Sequence, residues 1–457
     1  MPTQLFLAST LYGAAALAAA LDAGCLPAAD RRLLLVSTNT AVPELSTPLD
    51  RMPGFAPLRR RFDQVLSWNE TIAPLHPAGW SPRPEDVPLW ERQLRERWGL
   101  TGRDLQLVVE SIQVNPAQAV CRLFPDAPVD VYADGLMSYG PTRNRLDPLL
   151  GTRIRRLLHP DLLPGLRPLL LTEFGVPSHT IPTEAFTAVL REVAAASPTP
   201  PPPDGGAAAD APEHGPALLL GQHLAALGVL TPEEEERLHL RMVRGAAALG
   251  HRTLLFKAHP SAPVRSARAL QRAADELGVT LTVLREPVLA EVLFQRLRPA
   301  LVVGCFSTAL FTAGTCYRLP VARTGTELLL ERLTPYQNSN RVPVTLADAV
   351  LPDLDDPAAV AAWTPPDRAW VTGELTELLH TVGYTMQSRL HPELRATAER
   401  YLRTRPGHRT RRYVKRRRLT ALGLPGGLPR RFALVPRTPR VRRAVRRLRA
   451  LRDAARR

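Results

Sequence analysis

The sequence predicts an α/β protein made of two parallel-sheet domains, a linker between them and a basic C-terminal tail. Three observations carry this. Short apolar runs leave into small polar loops and then into helices, in the first half (3–8, TQLFLA) and again in the second (217–220, 254–256, 300–303). Strand, polar loop, helix, strand is the βαβ signature of a parallel sheet. Residues 197–216 (SPTPPPPDGGAAADAPEHGP) form a Pro/Gly/Ala stretch that reads as a semi-rigid spacer. Charge is also concentrated at one end. Residues 401–457 hold 21 Lys or Arg and one Asp, a net of +20 against +16 for the whole chain, so residues 1–400 carry −4. The expected division is 1–196, a linker at 197–216, a second domain at 217–400 and an Arg-rich tail at 401–457.

The 457 residues suffice for two or three domains, and 45% hydrophobic content is that of a globular protein. Four cysteines (25, 121, 305, 316) occur with no CxxC and no His/Cys ligand spacing, which disfavours a disulfide scaffold or zinc ribbon. The start, MPTQLFLAST, lacks a basic n-region and reads as a strand and turn rather than a signal peptide. No run of about 18 apolar residues predicts a membrane span. The only lysines are Lys257 and Lys415 among 59 basic residues, and Arg dominance with abundant Ala and Pro suggests a GC-rich bacterial genome. Lys257 is therefore conspicuous: a compact charge on a flexible stem suits a phosphate that a planar guanidinium would crowd.

In chain order, the strand at 3–8 ends in a turn bearing Thr10, and helix 14–23 follows. The strand at 32–36 leaves into Ser37, Thr38, Asn39 and Thr40. A helix at 89–98, a strand at 105–109 and a helix at 116–123 come next. The strand PVDVY (128–132) runs into Ala133, Asp134 and Gly135. Asp-Gly is a turn signal, yet a carboxylate at a strand's carboxyl edge is also placed for general-base work. In the second half, the strand at 217–220 ends in Gly221 and Gln222. Thr231, Pro232 and Glu234 predict a capped helix over 232–249.

The strand at 254–256 leaves through Lys257 and Ala258 into His259 and Pro260. Proline ends a strand, which puts His259 at the edge where open α/β sheets bind ligands. His-Pro also occurs at 76–77, 159–160 and 391–392, but only the pair at 259 follows a clean apolar run. Residues 286–296 read as a helix carrying Glu291. Strand 300–303 ends in Gly304, Cys305, Phe306, Ser307 and Thr308, with a helix over 309–315. Free backbone N–H groups and two hydroxyls at a helix start make an anion site, while Ser307 also serves as an ordinary N-cap.

Neither GxxxxGK[ST] nor GxGxxG is present, which disfavours a Walker-type NTPase or a dinucleotide site. No HExxH and no DxD-type pair argues for a bound metal, so no cofactor is expected. Two α/β domains, a carboxylate loop in the first and phosphate-facing loops in the second resemble a glycosyltransferase of GT-B architecture, two Rossmann-like domains facing a central cleft.

Tyr132-Ala133-Asp134-Gly135, Lys257-Ala258-His259-Pro260 and Ser307-Thr308 together resemble the three ordered motifs of the bacterial capsular alpha-2,8-polysialyltransferase family, over roughly residues 3–345. The resemblance implies inverting, metal-independent transfer of sialic acid from CMP-sialic acid to a glycan hydroxyl, in capsule or surface polysaccharide synthesis. It implies Asp134 as base and His259 as the group that binds the donor phosphate and protonates departing CMP. Ser307 and Thr308 match phosphate-binding hydroxyls, and Glu291 matches the acidic residue that holds the donor ribose. Pro260 and Lys257 flank this donor site; Gly135, Gly221, Gln222, Thr10 and Asn39 support the loops. The departure is Ala133, at the first acidic position of the motif. Two alternatives stay open: a GT-B enzyme with another nucleotide-linked donor, and a non-catalytic nucleotide- or glycan-binding relative.

The tail's clusters at 409–418 and 437–452 suit anionic lipid headgroups, implying a cytoplasmic protein peripheral to the inner membrane face. A solvated, disordered tail is the plain alternative, and nucleic acid is disfavoured for want of interleaved aromatics.

Overall fold

The computed structural model describes residues 2–100, 102, 104–198, 215–258 and 264–428. His259, Pro260, most of the linker and the basic cluster at 437–452 lie outside the described residues.

The first domain holds β1 (Thr3–Ala8), β2 (Arg31–Val36), β3 (Gln64–Ser67), β4 (Leu105–Val109), β5 (Val129–Tyr132), β6 (Ile154–Pro160) and β7 (Ser178–Ile181). They form one parallel sheet in the order β3-β2-β1-β4-β5-β6-β7. The second holds β8 (Gly215–Leu220), β9 (Thr253–Lys257), β10 (Thr280–Leu284), β11 (Pro299–Gly304) and β12 (Val321–Arg323). These are also all parallel, in the order β10-β9-β8-β11-β12. Parallel strands need crossovers that cover both faces, which is why LLLV of β2, LVV of β4 and ALLL of β8 are buried apolar runs. Strand order reverses between β1 and β4 in one sheet and between β8 and β11 in the other. Ligand crevices open at such switch points, beyond the carboxyl ends of the strands. Two such domains with their edges turned to one cleft make the fold GT-B-like.

The apolar-run criterion overlooks β3, β6, β7 and β12. β6 carries Arg155 and Arg156 within IRRLLHP, and β7 (SHTI) is an edge strand with three exposed positions. Polar edges discourage further strand pairing, so edge strands lack an apolar signature. His159-Pro160 closes β6, so the pair at 259 is not alone in following a strand. The expected helix at 286–296 begins only at Ala290. Pro287 biases the residue before it away from helical backbone, and Leu289 caps the helix in an extended conformation.

Packing does not stop at residue 400. Helices His408–Tyr413 and Arg416–Leu422 lie on the second domain and bury Tyr413, Val414 and Leu419. Asp348, itself buried, accepts from Arg412, from Tyr413 Oη at 2.9 Å and from Thr326 Oγ1 at 2.6 Å, and pairs with Arg323 at 3.1 Å. Lys415 Nζ donates to Glu331 O at 3.0 Å and Arg418 Nε to Thr385 O at 2.6 Å. Three basic residues of the 409–418 cluster are thus engaged within the fold. Helix Thr376–Met386 reaches back to the first domain, where Gly383 packs against Leu169 and Gln387 donates to Arg143 O at 2.9 Å.

Stopping the chain after Thr404 withdraws these apolar contacts, each large side chain being worth roughly 1.5–3 kcal/mol. The melting temperature is expected to fall by about 10 °C or more. An unchanged melting curve would show that this segment is not part of the folded unit.

Candidate active site between the two sheet edges

β1 ends at Ala8, and Thr10 then caps helix Leu11–Asp22, its Oγ1 accepting from Gly13 N at 2.9 Å. The same hydroxyl lies 3.3 Å from Asp134 Oδ2 as donor. Asp134 stands two residues beyond β5. Strand alternation puts Tyr132 and Asp134 on one face of the sheet, while Ala133 packs with Val131 against the apolar cluster of the other face. Burial raises the Asp134 pKa, with its own backbone N–H and Thr10 opposing the shift. Gly13 is what leaves room: a Cβ there would lie 2.9 Å from Thr10 Oγ1, 3.0 Å from Asp134 Oδ2 and 3.2 Å from Tyr132 Oη.

A second carboxylate, missed by the motif reading, stands beside them. Glu110 follows β4, where Val109 pairs with Val131, and so comes opposite Tyr132. It is buried, and Tyr132 Oη lies 2.9 Å from its Oε2 and 3.0 Å from Leu7 O. Burial first, then the charge of Asp134, pushes Glu110 up to about 7, against hydrogen bonds from Ser9 and Tyr132. Its signal in the sequence is LQLVVE, an apolar strand ending in a carboxylate at the switch point, but Glu-Ser is not a turn motif.

Across the cleft, Gly221 and Gln222 follow β8. Gly221 N donates to Lys257 O at 3.0 Å, and a Cβ on Gly221 would meet the Phe256 ring at 2.7 Å, so these two strand ends need glycine to lie together. Gln222 Oε1 accepts from Phe306 N at 3.1 Å, which ties the ends of β8 and β11 across their switch point. Ser307 caps helix Thr308–Cys316, its Oγ 3.3 Å from Ala309 N. The same residue therefore serves as the cap and faces the cavity.

Lys257 ends β9 half-buried; burial lowers its pKa and Glu291 opposes the shift. Glu291 is in the first turn of helix Ala290–Leu297 and is buried rather than on a solvated face. Burial pushes it up to about 7, against its own backbone N–H, the Lys257 charge and a hydrogen bond with Thr312. Thr312 also meets Tyr12 Oη of the first domain at 3.1 Å.

The two walls share cavities. One of about 510 Å³ is lined by Glu110, Tyr132, Asp134 and Gly135 from the first domain and by Gln222, Ser307 and Thr308 from the second. Another of about 320 Å³ shares Gln222, Ser307 and Thr308 with it and is also lined by Tyr12, Gly221, Lys257 and Glu291. Thr308 Oγ1 lies 3.5 Å from Leu136 N and 3.1 Å from where a Gly135 Cβ would be. Asn39 accepts from Ser37 Oγ at 2.6 Å and lines an adjoining cavity of about 360 Å³ with Ser9, Glu110, Ser111 and Asn115, of which Glu110 and Ser111 also line the first cavity. Among the described residues, no three His, Cys, Asp or Glu side chains converge as a metal cluster.

Replacing a helical glycine by alanine ordinarily stabilises by roughly 0.5–1 kcal/mol. Gly13→Ala is expected to do the reverse, with an overpacking cost of about 1–3 kcal/mol, read as a lower melting temperature; a rise would show that the seat of Asp134 is loose.

No curated protein matches the chain in sequence. Among solved structures, UDP-GlcNAc 2-epimerase from Neisseria meningitidis bound to UDP-GlcNAc is similar at 10% identity, over 83% of this chain and 98% of that one, with a TM-score of 0.46. UDP-GlcNAc 2-epimerase from Methanocaldococcus jannaschii aligns at 12% identity over 79% and 91%, with a TM-score of 0.43. MurG from Acinetobacter baumannii aligns at 11% over 86% and 95%, with a TM-score of 0.37. These likenesses are too distant to carry an argument about this chain. The sequence profile of the alpha-2,8-polysialyltransferase (POLYST) family matches residues 4–324, which span both sheets and every cleft residue named above. The chain belongs to the alpha-2,8-polysialyltransferase family of glycosyltransferases.

Proposed function

We propose that the protein transfers sialic acid from CMP-sialic acid to a glycan hydroxyl, inverting the anomeric centre without a metal, in capsule or surface polysaccharide synthesis. The observation that carries this reading is the shared cavity. Asp134 reaches it from one domain and the capped start of helix Thr308–Cys316 from the other. An acceptor and a leaving phosphate would thus be handled from opposite walls.

As CMP departs, negative charge grows on its phosphate oxygens, and donors already in place then help most. A helix start carries about half a positive charge and free N–H groups. In this reading Ser307, Thr308 and Lys257 receive the phosphate, His259 protonates it, and Glu291 accepts from the ribose hydroxyls beside Lys257. Pro260, Gly135, Gly221, Gln222, Thr10 and Asn39 shape the loops. Asp134 takes the acceptor's proton, and its burial favours that role because a carboxyl held in low dielectric is a stronger base. Among the described residues no helix is long and apolar enough to cross a membrane. Membrane contact, if the enzyme delivers polymer to an exporter, therefore falls in this reading to basic residues outside the internal pairs of Arg412, Lys415 and Arg418.

Turnover of CMP-sialic acid with oligosialic and lactose-type acceptors tests the reading. Wild type should transfer, while Asp134→Asn and His259→Ala should each lose about 10²–10⁴-fold in kcat. Neither transfer nor donor hydrolysis by wild type would overturn it.

A further inference from the structure

The reading above leaves one cavity-lining carboxylate without a role. Glu110 is buried at the β1/β4 switch point, on the same sheet face as Tyr132 and Asp134. Ala133 contributes no charge and packs toward the other face. The site nonetheless has two carboxylates, because the second comes from the neighbouring strand.

We propose that Glu110 and Asp134 act as one proton-accepting dyad, in which the doubly ionised pair takes the acceptor hydroxyl's proton and Glu110 holds it. This rests on the sialyl-transfer reading of the same cavity. In the step, the acceptor O–H bond breaks and its proton passes to Asp134 and is shared with Glu110. The acceptor oxygen's pair forms the new bond to the anomeric carbon. The bond from that carbon to the CMP phosphate oxygen breaks with its pair on phosphate. The dyad later returns its proton to solvent.

Three features support this. The Tyr132 hydroxyl has one proton and two acceptors, Glu110 Oε2 at 2.9 Å and Leu7 O at 3.0 Å. When Glu110 is ionised, Tyr132 donates to it; when Glu110 is protonated, Tyr132 donates to Leu7 O and accepts from the Glu110 hydroxyl. Neither state leaves the carboxyl unpartnered in the interior, so the proton can come and go at little cost. Second, Asp134 Oδ2 and Tyr132 Oη both lie beside the same bare edge of Gly13, 3.0 and 3.2 Å from where its Cβ would be, which places Asp134 next to the hydroxyl that meets Glu110. Third, burial raises both carboxyls, and the Asp134 charge adds to the rise at Glu110, which reaches about 7; a base that titrates near the working pH is the efficient one. The groups facing the pair are the Tyr132 hydroxyl from β5, Ser9 and Thr10 from the loop after β1, and Tyr12 from the helix that follows, whose pKa burial raises. Arg143 lines the same cavity, but its guanidinium donates to Ser339 Oγ at 3.1 Å.

The test is the pH dependence of kcat/KM for wild type, Glu110→Gln and Glu110→Asp. Wild type should rise with pH through an apparent pKa near 7 that belongs to the pair. Glu110→Gln leaves a lone Asp134, so kcat/KM at pH 8 should fall roughly 10–100-fold and the acid limb should move to lower pH. Glu110→Asp should keep the limb near 7. Loss of activity with the limb unmoved would assign Glu110 a merely structural role and overturn the dyad.

A second readout needs no turnover. A carboxyl raised on folding from 4.5 to about 7 favours the folded state below 4.5 and loses that advantage as pH climbs to 7. Glu110→Gln should therefore gain melting temperature over wild type at pH 8 and little at pH 4.5. Parallel curves would contradict the shared proton even if wild type proved inactive, in which case the sialyl-transfer reading alone would fall with the activity.

Discussion

Everything in the cleft depends on one close approach, Thr308 against the backbone of Gly135 and Leu136. The second domain offers the start of a helix; the first offers the loop that leaves β5. Their meeting at 3.1 Å from a Gly135 Cβ position allows only glycine in the loop without displacement of the hydroxyl. The contact fixes how far the carboxylates stand from the helix N-terminus. Tyr12 with Thr312, and Thr315 Oγ1 donating to Leu162 O at 3.0 Å, reinforce the same junction. Helix His408–Tyr413 is pinned to the second domain through Asp348, and helix Thr376–Met386 packs back on Leu169 of the first.

Charge is handled similarly on both walls. Each has a buried carboxyl whose ordinary acidity is suppressed mainly by loss of water: Glu110 with Asp134 on one side, Glu291 with Lys257 on the other. Buried ionisable groups cost folding energy, and proteins concentrate them where chemistry or binding requires it. The small residues have a matching logic. Gly13 makes room for Asp134, and Gly221 lets β8 close on β9, so the charged groups are set by backbones that approach more closely than a side chain would allow.

The sequence made the two-domain α/β plan legible because parallel strands are apolar on both faces and leave into polar loops. It also made Asp134, Ser307, Thr308 and Lys257 legible, since each stands at or just beyond such a strand. β6 was obscured by Arg155 and Arg156, and β7 by the polarity proper to a sheet edge. Glu291 was legible only through the family resemblance, because one-dimensional spacing does not reveal that Lys257 and Thr312 face it. Glu110 was the larger omission. Its importance comes from strand order, since β1 and β4 lie side by side despite about a hundred intervening residues, and no local pattern reports that adjacency. The basic tail was legible as charge, but its role in packing rests on Tyr413, Val414 and Leu419 among the arginines.

In the proposed reaction the second-domain wall receives the phosphate of a cytidine nucleotide. Calorimetric titration of CMP and UDP into wild type, Ser307→Ala and Thr308→Val tests it directly. CMP is expected to bind wild type more tightly than UDP does, and each substitution to weaken CMP by about tenfold, the loss expected for one hydrogen bond to a charged group. CMP binding equally to all three proteins, or UDP binding more tightly than CMP, would contradict it.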